Sequence, residues 1–190
     1  PIAAPNSAGG LPRGRIGKLE VSRLILGGNL LTHYTHSRDL QYVYNLAAHY
    51  NTDAKILETL AVAEAHGVNT LCMHNPPHPM SLLRRYRRER GGKIQWIICP
   101  TAPVEPGLVE YRKMVEELVK DGCEAIYLWG VHADALVQQG KLDLVAQAVL
   151  AAHFEHLDAD VALDHAEHVG VGAALDLAVE QALRRRQEGQ

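Results

Sequence analysis

Short apolar runs recur along this chain, and each is cut off by residues that cannot continue it. RLIL at 23–26 stops at Gly27-Gly28, VNTLCM at 68–73 at HNPPHP, IQWIIC at 94–99 at Pro100, and AIYLW at 125–129 at GVHAD. Helical patterns lie between them. Thr52 or Asp53 can cap a helix whose stripe is Ile56, Leu57, Leu60 and Ala63, closed by Gly67. A basic helix is predicted from Ser81 to Arg90, ended by Gly91-Gly92. Pro106 suits the first turn of another, with Leu108, Tyr111, Val115, Leu118 and Val119 on one face up to Gly122. A further helix covers 141–153. The runs are continuously apolar rather than alternating, as parallel strands covered by helices require. The expected fold is therefore α/β, a parallel βα repeat of four to five units.

The two ends of the chain are less regular. Residues 1–14, PIAAPNSAGGLPRG, read as a flexible lead-in without the apolar centre of a signal peptide. A first residue that is not methionine leaves room for a removed upstream segment, so cytoplasmic and exported locations both stay open. Residues 15–190 are expected to form one domain. Weak alternation at 16–21 suggests a hairpin strand. The connection 29–51 is long for a βα unit, with a short helix expected at 40–48, and long ordered loops often carry function. The last residues allow either a fifth strand at 160–163, followed by a helix at 173–186, or two helices broken at Gly170-Val171-Gly172.

Bulk composition excludes several classes. A length of 190 residues with 47% apolar content supports a sizeable core. A net charge of −3 and a pI near 6.4 give no case for nucleic acid or an anionic membrane. The Arg84, Arg85, Arg87, Arg88, Arg90 cluster reads as a solvated helix face, and Arg184–Arg186 as cations near a helix C-terminus. Cys72, Cys99 and Cys123 are odd in number and show no C-x-x-C spacing, which suits buried free thiols. No apolar stretch approaches the roughly 18–20 residues that span a bilayer.

Where the apolar runs end, polar chemistry begins. His33, His36, Arg38 and Asp39 follow the first run, His74 and His78 the second, His132 and Asp134 the fourth, and Asp164 and His165 the doubtful fifth. In parallel βα proteins the carboxyl ends of the strands form one rim, where ligands bind. Imidazole and carboxylate are the usual ligands for Zn, Mn or Fe, and an open position lets the metal polarise a carbonyl or acidify water. The expected metal set is His33, His36, His74 and His132. The expected catalytic set is His74, His132, Arg38 and Asp39, with Arg38 able to clamp a carboxylate or phosphate. The bland alternatives are that His33 and His36 face water, that His78 sits in a proline-flanked solvent loop, and that Arg38 pairs with Asp39 or another acid. His49, His66, His153, His156 and His168 lie in helical or terminal contexts and read as structural or solvated. No G-x-G-x-x-G, P-loop, G-x-S-x-G or H-E-x-x-H pattern occurs.

IGKLEVSRLILGGN followed by TDAKILETLAVAEAHGVNTL resembles the opening of the aldo/keto reductase superfamily. HSRDLQYV at 36–43, GGKIQWI at 91–97 and the stretch 134–149 are similar to a bacterial aldo/keto-reductase-like branch; together these segments cover about residues 14–150. The resemblance implies a (β/α)₈ barrel, which takes about 250 residues. It therefore implies either an open, partial barrel whose exposed edge pairs with another copy or a shortened piece of a longer protein. An unpaired edge strand favours association, so a homo-oligomer is expected. The reductase pattern also has an Asp, a proton-donating Tyr, a Lys and a His at its strand ends. Here the second run ends Cys72-Met73-His74-Asn75-Pro76, the nearest lysine (Lys93) precedes the third run, and only His132 stands near its expected place. The leading expectation is accordingly an enzyme for a small polar carbonyl- or sugar-like substrate, with a divalent metal at the rim. NADP-dependent carbonyl reduction and a non-catalytic binding or assembly subunit are the alternatives.

Overall fold

The computed structural model describes residues 10–154. It is a mixed α/β structure with a four-stranded parallel sheet whose strands 26–27, 70–74, 95–99 and 125–126 lie in sequence order, with helices between them. The chain divides into two compact units, Pro1–Ile98 and Cys99–Gln190. Among the described residues no helix is long and apolar enough to cross a membrane.

The first unit opens with an antiparallel hairpin, β1 (Arg13–Ile16) and β2 (Leu19–Ser22). Pairing of Ile16 with Leu19 leaves Gly17-Lys18 as the turn, and Gly17 takes a left-handed φ of 55°. Glycine supplies that conformation without steric cost. Weak alternation at 16–21 therefore conceals a turn rather than one strand, and Arg13 and Gly14 of the expected lead-in already belong to β1. The strand expected at 23–26 shrinks to β3 (Leu26–Gly27). Its start is consumed by a bend in which the Ser22 hydroxyl donates to the Leu24 carbonyl at 2.6 Å, leaving Leu24 and Ile25 exposed. β3 pairs in parallel with β4 (Thr70–His74), Gly27 opposite Cys72. At Gly28 a Cβ would stand 2.3 Å from the Met73 Cβ, so only glycine permits this approach.

Three helices fill the connection between β3 and β4: α1 (Asn29–Thr32), α2 (Gln41–Tyr50) and α3 (Asp53–Ala65). Thr52 caps α3 by accepting from the Lys55 amide. After β4 comes α4 (Pro77–Arg90), which starts ahead of the expected Ser81. Proline's fixed φ and missing N–H fit a first helical turn, so Pro77 opens this helix instead of delaying it. β5 (Gln95–Cys99) follows. Leu60, Leu71, Leu82, Leu83, Trp96 and Ile98 are fully buried or nearly so. Arg87 lies 3.5 Å over the Trp96 ring, so part of the basic cluster packs rather than facing solvent.

Side chains at the amino ends of the strands fasten the hairpin to the sheet. Asn69 accepts from the Ser22 amide at 2.8 Å, donates its own amide to the Ser22 hydroxyl, and donates its side-chain N–H to the Glu20 carbonyl at 2.8 Å. Gln95 donates to the same carbonyl at 2.9 Å. Nearby, Glu64 accepts from the Tyr86 hydroxyl at 2.6 Å and from the Lys93 amide at 2.7 Å.

The second unit holds α5 (Val109–Lys120), β6 (Ala125–Ile126), α6 (Gly130–Gln138) and α7 (Leu142–Phe154). Its core includes Leu108, Tyr111, Val115, Leu136, Leu144 and Ala148. α5 begins after Leu108, whose left-handed φ of 54° forbids continuation back to Pro106. β6 is shorter than the apolar run at 125–129, because Trp129 serves as the N-cap of the unforeseen α6. All three cysteines are free thiols; Cys99 and Cys123 are buried as expected, whereas Cys72 is only half-buried. The expected elements at 160–163 and 173–186, with Asp164 and His165, fall outside the described residues.

Candidate functional site

In the first unit His74 is the last residue of β4, half-buried at the carboxyl end of the strand. Burial lowers its basicity below that of an ordinary imidazole, since desolvation disfavours the charged ring. At neutral pH the ring is therefore uncharged, and able to accept a proton or a metal. Its place follows from sequence: TLCM is apolar enough to form a strand, and Pro76-Pro77 forces the strand to end.

His33 is the C-cap of α1, in a left-handed conformation with φ 55°. Its Nε2 lies 2.7 Å from the Asn51 carbonyl at the end of α2. A carbonyl only accepts, so Nε2 carries the hydrogen and a neutral ring leaves Nδ1 as its acceptor. His33 thus fastens the long connection instead of standing free in water. His36 is exposed, its ring edge-on to Tyr34 at 4.9 Å, and Tyr34 is itself edge-on to Tyr44 at 6.2 Å. Arg38 and Asp39 are exposed just ahead of α2, with Arg38 left-handed at φ 55°. A bulky residue at positive φ is uncommon and costs about 1–2 kcal/mol.

His78 corrects its expectation. It is the second residue of α4, not part of a solvent loop, and its Nε2 lies 3.0 Å from Asp53 Oδ1. The other Asp53 oxygen is 3.5 Å from Arg85 Nη1. This exposed His78–Asp53–Arg85 group joins the first turn of α3 to the first and third turns of α4. Sequence reading took Asp53 for a possible cap and missed the group, although Pro76-Pro77 already signalled a helix start that would turn His78 toward a neighbour.

In the second unit His132 lies in the first turn of α6, its ring 5.1 Å from that of Trp129. Its Nδ1 is buried, with no hydrogen-bond partner among the described residues. Asp134 is exposed on the same helix.

Among the described residues, no three His, Cys, Asp or Glu side chains come together as a metal requires. His33 already spends one ring nitrogen on Asn51, and His36 packs on Tyr34. What the first unit does present is a neutral imidazole at a strand end, with a guanidinium and a carboxylate on the connection that leaves the neighbouring strand. Imidazole of this kind moves protons, and guanidinium holds anionic or polar oxygen. Fold and site together define a mixed α/β protein with a histidine at the rim of its parallel sheet. No family model, curated protein or solved structure matches the chain.

Proposed function

We propose that this chain is an enzyme of aldo/keto-reductase-like ancestry. It acts on a small polar carbonyl- or sugar-like molecule at the carboxyl ends of its strands. His74 is the acid/base group, Arg38 anchors a substrate oxygen, and Asp39 stands beside the anchor. The observation that carries this reading is the half-buried His74 with its lowered basicity at the end of β4. Perturbed groups at strand ends are where parallel βα proteins do chemistry. The neutral ring would take a proton from a hydroxyl-bearing carbon next to a carbonyl, leaving an enediolate. The hydroxyl proton passes to the oxygen of the former carbonyl, and return of the ring's proton to the former carbonyl carbon completes an isomerisation and restores the ring.

A divalent Zn, Mn or Fe ion would supply Lewis acidity to the same carbonyl, but the described residues bring no three-ligand group together to hold one.

Incorporation of solvent deuterium into a panel of small aldoses, ketoses and hydroxyaldehydes, read by proton NMR with and without these ions, tests the proposal. Exchange is expected with the native chain and should fall about 10²–10⁴-fold in His74→Gln, the usual contribution of a positioned acid/base. Exchange that His74→Gln leaves intact would reject the role given to His74, and no exchange with any compound would reject the proposal and favour a binding or assembly role.

A further inference from the structure

Helix α2 buries none of its residues. Tyr42, Leu46 and Tyr50 recur every fourth position and are 66%, 61% and 65% exposed, and Leu40 just before the helix is 49% exposed. At 100° per residue, Tyr42, Leu46, Tyr50, Val43 and Ala47 occupy an arc of about 140°. Val43, Leu46, Ala47, Tyr50 and Asn51 line an apolar cleft of about 290 Å³ along that arc. The helix, QYVYNLAAHY, contains no Asp, Glu, Lys or Arg.

We infer that this face is the contact between two copies of the chain, which meet through α2 across a two-fold axis. A patch of one charge sign cannot match itself across a two-fold axis, since like would face like, whereas an uncharged apolar face can. α2 meets that condition in a chain where 22% of residues are charged. The area also suffices. Aromatic side chains offer roughly 150–250 Å² each, so the two tyrosines and two leucines expose about 400 Å² per copy. Two copies hide about 800 Å² of apolar surface, and homodimer contacts are about 65% apolar, which implies about 1,200 Å² in all. That is the lower end of a specific interface, so a dimer in exchange with monomer is expected. This places the association on α2 rather than on the sheet edge, and it does not depend on the role proposed for His74.

Sedimentation velocity of the 190-residue chain across the micromolar range tests it. A concentration-dependent dimer is expected. Leu46→Glu and Tyr50→Glu should each shift it to monomer with unchanged circular dichroism, while Ala48→Glu, on the opposite face of α2, leaves it intact. A monomer at every concentration overturns the inference, as does a dimer indifferent to Leu46→Glu or equally weakened by Ala48→Glu. So does a monomer that Leu46→Glu makes easier to melt, which would mean that another segment of the same chain covers the stripe. His74→Gln should remain dimeric, so loss of exchange and loss of association report on separate claims.

Discussion

The Tyr111 hydroxyl sits wholly inside the second unit without a hydrogen-bond partner among the described residues. Burial pushes its pKa up to about 12, with the nearby Cys99 thiol adding to the rise. An unpaired buried hydroxyl costs about 1–3 kcal/mol, whereas the ring itself is well packed. Tyr111→Phe keeps the ring and removes the cost, so it should stabilise the chain by about 1 kcal/mol, or about 2–4 °C in melting temperature for a chain of this size. Calorimetry checks the sign, and a clear drop would mean that the hydroxyl has a partner. Arg38 offers a second test. Its left-handed backbone is strained for arginine but natural for glycine. Arg38→Gly should raise stability by about 0.5–1 kcal/mol while abolishing substrate anchoring. Chemical unfolding alongside the exchange assay checks both halves. Neither residue's state could be read from sequence. Apolar spacing placed Tyr111 on a buried face, but whether its hydroxyl meets an acceptor depends on other segments. Positive φ at a non-glycine residue leaves no mark in composition.

At the scale of elements, Gly91-Gly92 was legible as a helix stop, but only half of its reason was. Gly91 supplies the left-handed cap of α4, with φ 63°. Gly92 is needed for a different cause: a Cβ there would stand 2.1 Å from the Tyr86 ring, which Glu64 holds through the hydroxyl. Gly92→Ala should therefore cost about 1–3 kcal/mol, the usual penalty of overpacking. Tyr86→Ala opens a cavity and should cost about 3–5 kcal/mol. The double variant should cost less than both together, because the clash goes with the ring; equilibrium unfolding of the three variants measures the coupling. The same contrast between local and distant causes explains which elements sequence revealed. Apolar stripes found α3 and α5, and the helices expected at 40–48 and 141–153 lie close to α2 and α7, since a helix is specified largely by its own residues. The strands came out shorter than their apolar runs, because the Ser22–Leu24 hydrogen bond and the Trp129 cap remove their ends. α6 was missed because its apolar positions, Val131, Leu136 and Val137, follow a strand-like run too closely to stand out.

At the scale of the whole molecule, the first unit divides its work between the two ends of its strands. Ser22, Asn69 and Gln95 gather at the amino ends of β4 and β5 and bind the hairpin to the sheet. His74 stands at the other end of β4, five residues beyond Asn69 and about 16 Å away at about 3.3 Å per residue. The candidate site was thus legible as a location, a histidine stopping an apolar run, whereas the company each imidazole keeps came only with the fold. Separation by that distance makes the two ends energetically independent. Asn69→Ala should cost about 1–3 kcal/mol, since it leaves the Ser22 amide and the Glu20 carbonyl short of partners. It should leave the pH dependence of stability unchanged. His74 does the reverse. Its native pKa is depressed below the ordinary 6.5, so the unfolded chain binds more protons on acidification. Its contribution is complete above about pH 6.5 and is lost as pH falls toward the native value. His74→Gln should flatten that acidic decline and leave stability at pH 8 nearly unchanged. Urea unfolding of both single variants and the double variant, at pH 5 and pH 8, should give effects that add within about 0.5 kcal/mol. Strong coupling between them would show that β4 transmits strain from one end to the other, and that scaffold and chemistry are not separable in this fold.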